Sequence, residues 1–318
     1  MLKRLVKRSF WITCLGHVVT NHATAWRYSK SNIQSSSGTT HSRLNTAASV
    51  KYIRDVFNDY KQYAGLTRFS GRVAEIGPGD NCGVALLFLN DGCESVDLLD
   101  RYYSRRDPVR HAKVYGALLR EHPRLQARYG TLDLARDDRF DGVRWHHGPT
   151  AAGEEFFLEH RGYDSIVSRA VLEHLFDPIL CLRRMAMALN EGGIMLHKVD
   201  LRDHGMFSTS FHELKYLEVP DRLYVRMTQA SGKPNRVLID AYRAELKRAG
   251  LEFQLLVTRL AGVGDIIPHM PLAQIALEKR EKSLAYVRSV RHRFARSLKS
   301  LSDEDLAIAG IFIVARRM

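Results

Sequence analysis

Apolar and polar positions along this chain repeat with two different periods. Over residues 50–63 the side chains of Val50, Ile53, Val56, Phe57, Tyr60 and Tyr63 recur at helical spacing, which predicts an amphipathic helix ahead of the core. Short apolar runs follow at 72–76, 95–99, 143–146, 165–168 and 194–199, each too short for a stable helix and flanked by turn residues. Helical stretches are predicted between them at 84–89, 109–121 and 180–189. Strands alternating with helices imply an α/β fold with a mostly parallel sheet and helices on both faces, because parallel neighbours need crossover connections.

The C-terminal third reads differently. A helix over 237–249 stops at Gly250, β-rich runs follow at 252–260 and 307–315, and 272–298 reads as a long basic helical stretch. The two late runs would bring the sheet to seven strands, with an antiparallel C-terminal strand. Insertions at about 101–142, 203–236 and 265–300 would interrupt a single domain spanning 49–318. Residues 1–48 read as a basic flexible leader, and 29–48 are rich in Ser, Thr and Asn. No internal repeat is visible.

Charge sharpens that division. The formal net charge is +13. Nine Lys or Arg fall in residues 1–54 before the first acidic residue, Asp55, so the head carries most of the excess. A basic head on a nearly balanced body does not suggest specific nucleic-acid binding. It suits peripheral contact with an anionic membrane through residues 1–30, or a solvated leader. No apolar run has membrane-spanning length. Residues 10–19 resemble a signal peptide only weakly. The four cysteines, Cys14, Cys82, Cys93 and Cys181, form no CxxC pair, so buried free thiols and no metal site are expected, in a cytoplasmic protein.

The strongest chemical signal is the segment Val73-Ala74-Glu75-Ile76-Gly77-Pro78-Gly79-Asp80, where a strand runs into a glycine turn and then a helix. Gly77 and Gly79 allow the backbone to pass close to a ligand, and the helix start beyond offers free N–H groups. Asp100, at the end of the second strand, can accept both hydroxyls of a ribose. Glu75 would repel a pyrophosphate but would orient a cationic amino group. The strand and turn at 163–174 place further polar residues at the same sheet edge, where open α/β sheets bind ligands.

Taken together, Glu75-x-Gly77-x-Gly79, Asp100 and Leu172-Glu173-His174 resemble the pattern of class I S-adenosylmethionine-dependent methyltransferases of the small-molecule type. The resemblance covers about 50–318 and implies a Rossmann-like fold and S-adenosylmethionine as cofactor. By position it implies that Glu75, Gly77, Pro78 and Gly79 face the methionine part. Asp100 and Arg101 would face the ribose, Ala152 (or Glu154) the adenine, and Ser168 and Arg169 the sulfonium end. Asn81 stands where a third glycine is often found. The expected acceptor is a small molecule, a sugar or a glycolipid. A hydroxyl acceptor needs a base, and the candidates are His174, His197 and Asp200, with His204 and His212 in the following loop. Two alternatives use the same residues: a nicotinamide-dependent oxidoreductase, and a non-catalytic cofactor-binding adaptor held at a membrane. The aromatic stretch 204–236 would form a substrate lid or a self-packed loop. Arg288, Arg291, Arg293 and Arg296 would form either a solvated face or an anion-binding stripe.

Overall fold

The computed structural model describes residues 9–30, 34–35, 38–134 and 139–318. Ten strands occur among them: β1 (Gln34–Ser35), β2 (Gly71–Ile76), β3 (Cys93–Asp100), β4 (Tyr103–Ser104), β5 (Val143–His147), β6 (Tyr163–Arg169), β7 (Leu189–Asp200), β8 (Glu252–Leu260), β9 (Gly264–Met270) and β10 (Ile308–Arg316). Eight of them form one sheet in the order β5-β3-β2-β6-β7-β10-β8-β9, and β1 pairs with β4. The pairs β2–β3, β2–β6 and β3–β5 are parallel, and β8–β9 is an antiparallel hairpin. β10 runs against β7, as the bonds from Gly192 N to Arg317 O and from Leu201 N to Ala309 O require.

The chain divides into two compact units. One comprises residues 33–169, 183–196 and 314–318, and carries the glycine turn. The other comprises residues 9–30, 170–182 and 197–313. The boundary passes through β7, at no composition shift that the sequence marks.

In the glycine-turn unit, the helix Thr46–Ala64 forms for local reasons. Asn45 caps it by accepting from Ala48 N at 2.8 Å, and Gly65 ends it in the left-handed region at φ 64°. Its buried face holds five of the six predicted positions, Val50, Ile53, Val56, Phe57 and Tyr60, while Tyr63 is only half-buried. The helix Gly83–Asp91 is apolar and buried over its first seven residues. Between them Phe57, Phe69 and Phe88 meet edge to face or tilted, with ring centroids 4.9–5.9 Å apart. β2 buries Val73, Ala74 and Ile76. Asp97 of β3 is buried yet satisfied: Arg144 donates to it twice (2.8 and 2.9 Å), His146 at 2.9 Å and Tyr163 at 3.0 Å. These partners hold its carboxyl well below the usual range against the cost of desolvation.

Three expectations need correction. The leader is not uniformly flexible. Residues Phe10–Ser29 form a helix that buries Thr13, Cys14 and Asn21, and whose His17 donates to Met206 O at 2.8 Å. The sheet has eight strands rather than seven, because β9 lies inside the insertion expected at 265–300. The helical stretch expected over 272–298 is a helix only at Leu277–Val290, followed by 3-10 turns. Three residues of the basic stripe are engaged within the protein: Arg288 and Arg291 both pair with Asp303, and Arg293 lies 3.5 Å from Glu218. The stretch 204–236 packs its own aromatics inward, in keeping with the self-packed alternative. Phe207, Tyr216 and Tyr224 are buried, and Asp221–Thr228 is helical.

Candidate functional site

The strand order reverses at β2. From β2 the chain steps to β3 and then β5 on one side, and only afterwards to β6 on the other. The carboxyl ends of β2, β3 and β6 therefore meet at a topological switch point, where open α/β sheets bind ligands. The register is tight: Ile76 pairs with Leu99 on one side and Ser168 on the other, and Gly77 N donates to Leu99 O at 2.8 Å. Gly77 and Gly79 then adopt φ 69° and 72°, a region costly for any residue with a Cβ. The glycine pattern thus answers a backbone demand.

Around this turn, Glu75 is buried, and desolvation pushes its pKa up to about 8. Its Oε2 has no hydrogen-bond partner among the described residues. Asp100, at the end of β3, remains partly exposed. It accepts from Tyr102 N at 2.9 Å, and desolvation raises its pKa to about 6. Arg101 reaches Glu154 at 3.2 Å, and Ala152 is buried at the start of the helix Gly153–Glu159. Ser168 is fully buried beneath the edge, and Arg169 donates to Asp59 at 2.6 Å, so its charge is engaged by the helix Thr46–Ala64.

A further component was missed by the sequence reading. The segment at 38–42, read as part of the flexible leader, lies on the glycine turn. Gly38 O accepts from Asp80 N at 3.0 Å. Asp80 is fully buried and accepts from Ser42 N (2.8 Å), Ser42 Oγ (2.6 Å) and His41 N (3.2 Å), with His111 3.5 Å away. These partners outweigh desolvation and draw its pKa down to about 2. With β1 paired to β4, the strap borders a cleft of about 370 Å³ lined by Thr39, Ser42, Arg105, Arg106, Asp107 and Pro108. The only local signal was Asp80, an acidic residue at a buried position directly after the turn.

The second unit contains the expected acid–base residues and sorts them. His197 is fully buried, and desolvation drives its pKa down to about 3, which makes it a poor proton acceptor near neutrality. His174, Asp200, His204 and the buried Glu173 cluster together. Asp200 is held ionised by Arg202 at 2.5 and 2.8 Å and by His204 at 3.4 Å. His204 Nε2 also lies 3.7 Å from Glu173 Oε1, and Glu173 Oε1 accepts from Asp200 N at 3.2 Å. The rings of His174 and His204 meet edge to face at 4.8 Å. His212 stands apart, bonded to Glu218 at 2.6 Å.

A methyltransferase domain family matches residues 50–256, and the chain belongs to it. The nicotinamide-dependent alternative gives way to this. No curated protein matches the chain at a significant level. Among solved structures, the chain is similar to phosphoethanolamine N-methyltransferase 2 of Haemonchus contortus, crystallised with S-adenosyl-L-methionine. The identity is 18% and the TM-score 0.42, over 83% of this chain and 52% of that one. The chain thus spans about half the length of that enzyme. It is also similar to the YcgJ protein of Bacillus subtilis (13% identity, TM-score 0.41, 83% and 98% covered). A third likeness is to an S-adenosylmethionine dependent methyltransferase of Mesorhizobium loti (15% identity, TM-score 0.41, 83% and 100% covered).

Proposed function

We propose that the chain binds S-adenosylmethionine at the switch point and transfers its methyl group to an oxygen of a small molecule, a sugar or a glycolipid. The observation that carries the cofactor assignment is Glu75. A buried carboxyl with one unpartnered oxygen beside a glycine turn is costly by itself and is relieved by a cationic amino group. In this reading Gly77, Pro78 and Gly79 let the chain approach the methionine part. Asp100 accepts the ribose hydroxyls with Arg101 beside it, and Ala152 supplies a small apolar surface for the adenine. Ser168 and Arg169 line the sulfonium side.

When bound, the cofactor supplies an electrophilic methyl group, and its transfer needs in-line geometry and exclusion of water. The protein's part is positioning and disposal of a proton. An oxygen acceptor loses a proton as its bond to carbon forms. Within its own unit the cluster of Glu173, His174, Asp200 and His204 can hold a proton, whereas His197 is fully buried.

Calorimetric titration with S-adenosylmethionine and with NADH tests this. Micromolar binding of the former only, weakened at least tenfold in Asp100→Ala and Glu75→Gln, is the expected result. Absence of binding by folded protein overturns it.

A further inference from the structure

Glu173, His174 and His204 can each present one ligating atom, and among the described residues these three atoms lie within 4.8 Å of one another. Their hydrogen bonds prepare them for a shared ion. His174 Nδ1–H donates to Gly232 O at 2.8 Å, which fixes the tautomer and leaves the Nε2 lone pair available. Glu173 is almost fully buried. One of its oxygens accepts from Asp200 N, while Oε2 is buried with no partner among the described residues. His204 adopts φ 50°, an uncommon conformation for a residue with a Cβ, and Asp200, 3.4 Å from its Nε2, supplies further negative charge.

We propose that Glu173, His174 and His204 form a binding site for one divalent cation. Two imidazole nitrogens and one carboxylate oxygen favour a borderline metal such as Zn²⁺, Mn²⁺ or Co²⁺ over Ca²⁺. The binding does not rest on the methyl-transfer reading, and is measured without cofactor.

The experiment is titration of the chelator-treated full chain with Co²⁺, followed by its visible d–d absorption, with Zn²⁺ as competitor. One equivalent per chain, displaced by Zn²⁺ and weakened at least tenfold in Glu173→Gln, His174→Ala and His204→Ala, is expected. Thermal melts keep unfolded variants out of the comparison, and His292→Ala serves as control. Two outcomes overturn the proposal: no saturable binding by folded protein, or binding that survives in a folded His174→Ala/His204→Ala double variant.

A different observation carries a second inference. The helix Phe10–Ser29 turns one face inward and exposes the other. Trp11 (58% exposed), Leu15 (62%), Val19 (68%) and Trp26 (65%) project within a single stripe less than a quarter of the circumference wide. Every charged residue of 1–30 is basic, six in number, and Arg27 and Lys30 are exposed at the helix end. No helix among the described residues is long and apolar enough to cross a membrane. We infer that this face lies on an anionic bilayer surface: two tryptophans suit the interface, and the uniform positive charge suits acidic headgroups. Co-sedimentation with phosphatidylcholine vesicles containing 30% phosphatidylglycerol tests it. Binding at least tenfold above that to pure phosphatidylcholine is expected, with blue-shifted tryptophan emission, both lost in Trp11→Ser/Leu15→Ser/Val19→Ser. Equal partition into both vesicles, none into either, or a dimer in solution that the same triple variant dissolves would overturn it.

Discussion

Two buried glutamates, one in each unit, invite comparison. Glu75 and Glu173 both have pKa values raised to about 8 by desolvation, and each leaves its Oε2 without a partner among the described residues. They differ in company. Glu75 precedes a glycine turn, its shift comes from desolvation, and on the proposed reading it accepts an amino group brought by a ligand. Glu173 stands among two imidazoles and a second carboxylate, a donor set for a metal ion or a shared proton. Burial makes both carboxyls costly, and the neighbouring donors decide which ligand relieves each.

The largest expected effect separates them directly. Glu75→Gln should weaken S-adenosylmethionine binding by about 10–100-fold, the loss of one charge-assisted hydrogen bond, while leaving Co²⁺ binding unchanged. Glu173→Gln should do the reverse. Equal loss of both ligands in both variants would dissolve the comparison.

Next in size is Gly79→Ala. Its Cβ would meet Gly38 O at 2.6 Å while the backbone sits at φ 72°. The strap must shift, costing about 1–3 kcal/mol in a denaturant melt, with cofactor binding weakened and Co²⁺ binding untouched.

The pH dependence of Glu75 sharpens the contrast further. Folded, it holds its proton up to about pH 8, whereas an unfolded chain releases it near the ordinary value of 4.5. The folded state binds more protons between those values, so stability falls as pH rises through that window. Glu75→Gln should flatten this slope. Saturating cofactor should do the same, since an ammonium favours the ionised carboxylate. The measurement is the melting temperature between pH 5 and 8, with and without cofactor.

The smallest effect is expected at Arg293, whose partly exposed contact with Glu218 spans 3.5 Å. Arg293→Ala should change stability by less than about 1 kcal/mol and neither ligand affinity.

Much of the fold was legible because it rests on local periodicity and turn chemistry. The helix before the core, the strands that became β2, β3, β5, β6, β7, β8 and β10, and the glycine turn follow from residues close in sequence. β9 was missed because Gly264–Met270 carries Asp265 and two prolines close by, which blunt the strand pattern on what proves to be an edge strand. The helix Phe10–Ser29 was read as leader because its inward face buries Thr13 and Asn21, polar residues that look solvated until Ser9 and Ala230 are seen bonded to them.

By itself, the sequence determined an α/β domain with a parallel sheet, a glycine turn ending its first long strand, and acidic residues before that turn and after the next strand. These follow from period, spacing and the conformational demands of glycine, all short-range. Only the tertiary structure decided that Ser42 and Asp80 tie a strap over the turn, that Arg169 is engaged by Asp59, that His197 is sealed in the core, and that Glu173, His174 and His204 converge. Those facts depend on which distant residues desolvate a group and which donors then reach it, and no local pattern encodes either.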